Sequence, residues 1–571
     1  MKEIKEELVS FITGNKLSCF NSGKSLISRG DSIFKTRDGK SVFNRVLSKI
    51  SSGFVFSETS NLWNYFEFTE DFNIIKERQE FFKSLLLKDN SVLKEIVRPR
   101  QKWQPKYDVI AVTENEETFM RLQELSCSSL LISSPNELAD LERYDIVQII
   151  DCDEFSMMLE RLPQGVFIDS IENIYLEKYL EILSAWIDNI EALKRIEEPE
   201  IQEIVSGFKN LIALMDNSAK VISKEEIENV LSLINEKIAD KIKEMTISGD
   251  SLLKIVGEGK LPEELQKIVK MEIEGSGFPE YVFLSGFPVK LDEKEIDEMI
   301  RRQSANEFTN LAEIIKGHAN DLKKVPEKLK RLEALVVFYD FVAGVSKYLS
   351  SSAGYPELSD EFELKAKNMF LDNPQEIYFK LDSYNRCSIL TGANSGGKTT
   401  LLEHVLQLIS LFQIGLPVNG NVRMPIFSDV YYFAKNKGSA NKGAFETLLT
   451  QLSKIKPGNK TLILADEIEA VTEPGIAGKI ISASCDYFIK KNCFLIIATH
   501  LGYEIKDTLP QFARIDGIEA KGLDENFELI VDHNPVLGRL AHSTPELIVE
   551  KMANTYDDDY FRFLDGFLKR G

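Results

Sequence analysis

Apolar positions recur along this chain with two different periods, and the switches between them predict its elements. Between 61 and 98 the spacing is helical: Phe72, Ile75, Phe82 and Leu85 can share one face with charges between them. Glu70 and Asp71 come early in that stretch, where the helix dipole favours acids. From 105 to 170 the pattern changes to short β-branched runs, YDVIAV, SLLISS, YDIVQIID and GVFIDS, separated by helical stretches at 116–125 and 137–142. Strands alternating with helices predict a small parallel α/β unit. Residues 171–350 return to helix. Ile227, Val230, Leu231, Ile234, Ile238 and Ile242 form one stripe, and 325–349 is apolar enough for a helix buried on several sides. Residues 249–286, with their glycines and prolines, read as a loop-rich excursion between helical arms. Strands and helices alternate again from about 364 to 531, and the tail is helical at 545–553 and 557–568. Residues 1–60 are polar and punctuated by Gly23, Gly30, Gly39 and Gly53, which predicts a small helical or irregular leader with no assigned role. Phe56-Ser57-Glu58 matches F-x-E, a pattern too short to carry weight alone.

The alternating region contains the candidate chemistry. Cys387 to Leu390 is an apolar run, and 401–411 has helical spacing; between them Gly392, Gly397, Lys398 and Thr399 satisfy G-x-x-x-x-G-K-[ST]. Glycines let such a loop wrap a phosphate so that the amides of Gly392, Ala393, Asn394, Ser395, Gly396, Gly397 and Thr400 can point at it. The helix that follows turns its positive end toward the same anion. Lys398 is expected to reach the β/γ-phosphates and the Thr399 hydroxyl to coordinate Mg²⁺. The pattern implies ATP or GTP.

Downstream, TLILADEIE predicts a buried parallel strand that delivers Asp466 to the Mg²⁺ and Glu467 to the attacking water. A further apolar strand, Cys493 to Ala498, ends in Thr499-His500, which would place His500 at the γ-phosphate edge to sense it and hold Glu467 in line. His318, His404, His533 and His542 have no comparable context. In the earlier α/β unit, Glu114, Asp151, Asp153 and Glu154 follow strand ends. Such carboxylates can hold Mg²⁺ or simply face water, and they resemble the acidic pattern of toprim-type enzymes without its glycines.

Composition narrows the classes. A chain of 571 residues predicts roughly three to five domains. Its net charge of −21 means that most of the surface would repel DNA, so nucleic acid would need a local basic face. No apolar run reaches the length of a membrane span, and MKEIKEELVSF lacks a secretory core. The six cysteines form no C-x-x-C pair and read as reduced, mostly buried thiols of a cytoplasmic protein.

In order and wording these motifs resemble the MutS family of DNA-repair ATPases, a branch of the ABC-type ATPases. TGANSGGKTT is similar to that family's TGPNMGGKST, IGLPVNG to IG-x-x-VPA, LILADEIEAVTEPGIAG to LVLMDEIGRGTSTYDG, and ATHLGYEI to ATHYHEL. The likeness spans about 364–510. Upstream, Asn368-Met369-Phe370-Leu371 resembles N-P-F-[VI], which implies that Phe370 stacks on adenine. RLEALVVFYDFVAGVSKYL looks like the last core helix, and IIKERQEFFKSLL weakly resembles the start of the core.

The resemblance implies an α/β P-loop (ABC/MutS-type) ATPase domain at 351–534. To this it adds a mainly helical core and lever region at 61–104 and 171–350, a small inserted α/β unit at 105–170, a leader at 1–60 and a C-terminal helical dimerisation segment at 535–571. It further implies a homodimer or paired ATPase that binds ATP and Mg²⁺ and opens and closes on branched or duplex DNA in repair or recombination. The alternative is an ABC-type ATPase that remodels a protein or ribonucleoprotein. Two departures stand out. The family's S-T-F-x-x-E signature is reduced near Gly443-Ala444-Phe445-Glu446, with Gly443 replacing the serine unless Ser439 or Lys442 substitutes, and Thr472-Glu473 match the dimer-contact loop imperfectly. The second is the N-terminus, where the sequence leaves no room for the family's mismatch-reading domain and offers no equivalent of its base-stacking F-x-E, so mismatch reading is not expected.

Overall fold

The densest apolar runs of the second half become a parallel sheet. Its strands are β1 (Cys387–Gly392), β2 (Asp429–Phe433), β3 (Thr461–Asp466), β4 (Phe494–Ala498) and β5 (Ala513–Ile518). They lie in the order β2-β3-β4-β1-β5, all parallel. Every residue of β3 and β4 is buried, because a parallel sheet is covered on both faces and its strands lose the in–out alternation. This computed structural model describes residues 2–569 except 22–31, 126, 217–221, 245–262, 285, 287, 393–396, 436–441, 468–472, 524–528, 542–544 and 557. The chain divides into two compact units, 1–95 with 331–571, and 96–330.

Helices of the first unit include α1 (Arg37–Ser51), α2 (Phe72–Lys83), α3 (Val325–Leu349, which enters this unit at Arg331), α4 (Lys398–Ile414) and α5 (Pro474–Ile489). Ala477, Ile481, Cys485 and Phe488 of α5 share a core with Ile389, Ile463, Leu495 and Ile497 of the sheet. Helix α1 packs on α4 and β2, and α2 on α4. A second, mainly antiparallel sheet is formed by Glu357–Leu358, Asn419–Met424, Phe362–Lys367 and Glu376–Leu381.

The N-terminal stretch is not a detached leader. Lys35 N donates to Val430 O at 2.9 Å and Val430 N to Ile33 O at 2.8 Å, so residues 33–35 pair with the outer side of β2. The polar residues around them hid this, since the apolar signal is only two residues long, the buried Ile33 and Phe34. The F-x-E glutamate is structural as well: Glu58 is buried and accepts from Ser18 N at 2.8 Å. The helical pattern at 61–98 resolves into a 3₁₀ turn (Ser57–Tyr65), α2 and a second 3₁₀ turn (Ser91–Glu95).

One buried carboxylate ties these pieces to α3. Asp340 accepts from Val55 N at 2.9 Å, Phe56 N at 3.0 Å, Thr59 Oγ1 at 2.7 Å and Asn90 Nδ2 at 2.9 Å. Just beyond it, Gly344 must be glycine, since a Cβ there would stand 2.2 Å from Phe54 Cδ1.

In the second unit the four predicted strands form a parallel sheet in the order Ser129–Leu131, Val109–Thr113, Ile146–Ile149, Gly165–Phe167. Helix Lys224–Glu244 buries Ile227, Ile234 and Ile238 against Val269 and Ile273 of helix Glu263–Glu274. The expected loop-rich excursion therefore contains a helix, which its Leu265, Val269 and Ile273 spacing supports and the neighbouring glycines obscured. Among the described residues, no helix is long and apolar enough to cross a membrane.

Replacing Asp340 with alanine removes the acceptor of two half-buried backbone N–H groups and of the buried Thr59 hydroxyl, and one of the two partners of the Asn90 amide. We expect a loss of about 3–5 kcal/mol in denaturant unfolding of the first unit. A midpoint equal to that of the parent chain would show that this network adds nothing.

Candidate functional site

The site lies where the strands of the first sheet end. β1 runs into the glycine loop, and both loop glycines described are required by geometry. Gly392 has φ +133, and a Cβ there would lie 2.2 Å from Ile518 O. Gly397 has φ +91 and stands directly before α4. Ala393, Asn394, Ser395 and Gly396 lie outside the described residues. The strand itself is braced sideways: Ser388 Oγ donates to the buried Asp516 at 2.6 Å, and Asp516 also takes Arg514 Nε at 2.7 Å.

Lys398, Thr399, Asp466, Glu467 and His500 converge at this end. Lys398 is buried, donates from Nζ to Gly392 O at 2.6 Å, and stands 4.0 Å from Glu467 Oε1. Thr399 Oγ1 donates to Asp466 Oδ2 at 2.6 Å. The other oxygen of that carboxylate, Oδ1, is buried without a hydrogen-bond partner among the described residues. An acceptor orphaned in this way costs about 1–3 kcal/mol unless a donor or cation takes it. A hydroxyl and a carboxylate are the hard oxygen donors that Mg²⁺ selects, so the residues present fit that ion. Burial pushes the Asp466 carboxyl above the usual range, with the negative Glu467 adding to the rise and the Thr399 hydrogen bond opposing it.

Glu467 leaves β3 with φ +47, a left-handed backbone for a non-glycine residue, and its N–H is fixed to Ala498 O at 2.8 Å. Its Oε1 meets His500 Nε2 at 2.8 Å, and its Oε2 is ion-paired with Lys435. Burial raises this carboxyl, but the hydrogen bonds from Lys435 and His500 outweigh it and hold the group below its ordinary value. An ionised carboxylate with depressed basicity orients a water better than it deprotonates one.

Beside the loop is an apolar cavity of about 180 Å³ whose walls include Leu371, Ile377, Thr400, Leu401, His404 and His533. A Cβ at Gly397 would stand 2.8 Å from His533 Nδ1. Phe370 does not line this cavity; it lines a separate cleft with Lys49 and Lys347, and its carbonyl accepts from Lys49 Nζ at 3.1 Å.

A scan against protein-family models matches none. The chain is, however, 30% identical over 581 aligned residues to a Pyrococcus furiosus protein named DNA-binding protein MutS2, with 93% of this chain and 99% of that one covered. The chain belongs to the MutS family. Likeness to other relatives is partial. An Endonuclease MutS2 of Lactococcus lactis is 24% identical over 62% of this chain and 44% of its own length. A DNA mismatch repair protein MutS of Fervidobacterium nodosum is 31% identical over 34% of this chain and 24% of its own. The chain thus spans under half the length of those two relatives.

In this MutS-family chain two site residues escaped the sequence reading. Lys435 follows the apolar run that ends β2, the same strand-end position that drew notice to Asp466 and His500. His533 follows the short apolar run Leu529–Val531 by two residues, a strand-end position like that of His500, but it lies far along the chain from the glycine loop and only the fold brings it to Gly397. Of the departures noted above, Gly443, Ala444 and Phe445 begin a helix (Lys442–Ser453) whose first side chains, Lys442 included, lie outside the described residues, as do Ser439 and Thr472. In the second unit the strand-end acids are engaged locally. The Glu114 carboxylate accepts from Asp153 N, Glu154 N and Phe155 N at 3.0, 2.8 and 2.6 Å, and Asp151 Oδ2 accepts from Thr118 Oγ1 at 2.6 Å. No cluster of three metal-ligating side chains occurs among the described residues.

His404 is buried, its Nε2 is unpartnered among the described residues, and burial lowers its pKa from the ordinary 6.5 to about 4. The unfolded chain therefore takes up a proton that the folded one refuses between those values. Stability is unaffected above about pH 6.5 and falls by on the order of 3 kcal/mol as pH drops to about 4. His404→Leu should flatten that acid limb in denaturant melts; an unchanged limb would place the titrating group elsewhere.

Proposed function

We propose that this chain is a Mg²⁺-dependent ATPase that, as a dimer, couples ATP binding and hydrolysis to opening and closing on DNA. The observation that carries the reading is the convergence behind one glycine loop of a buried lysine, a hydroxyl on a half-satisfied aspartate, and an ionised glutamate backed by a histidine. Lys398 and the loop amides would neutralise the phosphates. Thr399 and Asp466 would hold Mg²⁺, which when bound supplies positive charge to the β- and γ-oxygens. Glu467 would orient the water from its fixed position, and His500 would keep it aligned and register the γ-phosphate. The apolar cavity beside Gly397 suits a nucleobase, with Leu371, Ile377 and Leu401 as its walls.

DNA as the partner is supported by the name of the Pyrococcus furiosus relative, which this chain matches over nearly its whole length. Dimer formation is supported by the last helix, Asp559–Leu568, where Phe563 and Phe567 are 70% and 68% exposed. The setting we favour is DNA repair or recombination. Remodelling of a protein or ribonucleoprotein partner, which the acidic balance would suit, is the outcome if DNA binding fails.

Glu467→Gln should retain ATP binding and lose about 10²–10³ in turnover. Unaltered steady-state hydrolysis would remove Glu467 from this role. Lys398→Ala should weaken nucleotide binding itself, read by titration with labelled ATP and magnesium. Binding to duplex, forked and four-way DNA should weaken steeply as salt rises, and ATP turnover with each should identify the preferred form.

A further inference from the structure

Helix α1 and its approach carry an unbalanced charge. Residues 35–49 hold Lys35, Arg37, Lys40, Arg45 and Lys49 against a single carboxylate, Asp38, in a chain of net charge −21. The buried face of the helix is Gly39, Val42, Val46 and Ile50. The opposite face repeats with helical period: Arg37, Lys40, Ser41, Asn44, Arg45 and Ser48 line one shallow surface hollow of about 520 Å³, and no carboxylate lines it. A second hollow opens at the C-terminal end of the helix, where the charged lining groups are Lys49, Lys94 and Lys347.

Two of these cations have inner partners: Lys35 stands 3.4 Å from Asp429 Oδ1 and Arg45 2.7 Å from Glu403 Oε1. Arg37 and Lys40 have no ion-pair partner among the described residues. Both lie in or beside the first turn, where the helix dipole disfavours positive charge by about 0.3–1 kcal/mol each. Their placement works against the helix, and an anion arriving from outside reverses that sign.

We propose that the exposed face of α1 is a contact for the phosphodiester backbone of double-stranded DNA, located on the nucleotide-binding unit itself. This rests on the DNA reading above and adds the surface. Lysine, arginine, serine and asparagine are side chains that bond phosphate oxygens. The first hollow has no apolar or aromatic lining residue, whereas a protein partner would need such anchors at its centre. At about 1.5 Å per residue the helix runs roughly 20 Å, and duplex DNA offers a charge about every 1.7 Å of its axis.

The same segment grips β2. Tyr432 N donates to Thr36 Oγ1 at 3.1 Å and Ala434 N to Asp38 Oδ2 at 3.3 Å. The next residue, Lys435, is ion-paired with Glu467. DNA on α1 would therefore lie one hydrogen-bonded strand end away from the carboxylate assigned to water, and occupancy should change turnover.

The test uses the full chain with Arg37→Gln and Lys40→Gln combined, beside the charge-keeping pair Arg37→Lys and Lys40→Arg. Affinity for a fluorescent duplex is measured from about 50 to 200 mM salt, together with ATP turnover with and without duplex. The neutral pair should bind about ten-fold more weakly at low salt, with a log–log salt slope shallower by about 1–2 and a smaller response of turnover to DNA. Basal turnover should hold, and the charge-keeping pair should behave as the parent. If the parent binds duplex steeply with salt and the neutral pair superimposes on it, the α1 proposal is overturned while the DNA reading stands. A parent with no salt-dependent duplex binding overturns the DNA reading itself, and α1 loses its partner with it.

Discussion

The bond from the Thr399 hydroxyl to Asp466 joins the first turn of α4 to the end of β3, and the rest of the site is arranged around it. It fixes one oxygen of a buried carboxylate and leaves the other without a partner among the described residues. A buried, half-satisfied acid is costly in isolation, and the cation proposed for this site would offset that cost. The covered parallel sheet makes this possible. Because β3 and β4 are buried on both faces, their ends are rigid, and the groups that follow them are held where the fold puts them.

Glu467 shows how that rigidity serves chemistry. It leaves its strand in a left-handed conformation, and its side chain is held from two sides by Lys435 and His500. Those contacts lower its basicity while fixing its direction. Phosphoryl transfer through a loose transition state asks more of orientation than of proton abstraction, so this exchange suits the proposed reaction.

Much of this was legible in the residues, because the glycine loop, the buried strand before Asp466 and the strand before His500 are local patterns. The alternation at 105–170 likewise announced its four-stranded sheet. What was not legible depends on chain segments far apart meeting. His533 follows a short apolar strand, but nothing local to it points to Gly397, more than a hundred residues earlier; the strand pair Ala520–Leu523 and Leu529–Val531 after β5 carries it there. Residues 33–35 sit in a polar leader, yet they border β2, because two buried side chains, Ile33 and Phe34, are enough to seat so short an edge segment and too few to make a pattern. The adenine role that the family likeness assigned to Phe370 came from a short motif, and in the structure Leu371, its neighbour, is the residue on the cavity wall. The acidic strand ends at Glu114 and Asp151 illustrate the converse, a suggestive pattern whose carboxylates are engaged nearby, Glu114 by the amides of 153–155 and Asp151 by Thr118 of the helix Glu116–Glu124.

The border that residues 33–35 lend to β2 also bears on how the chain comes into being. The unit that holds the loop is assembled from both ends of the polypeptide, with 96–330 between them. On a ribosome residues 1–95 emerge hundreds of positions before the strands they must join, and until then Phe34 has only nearby rings such as Phe43 and Phe68 against it while α1 lacks β2 and α4. The early segment must wait, shielded by a helper or by its own transient collapse, until the last third of the chain arrives.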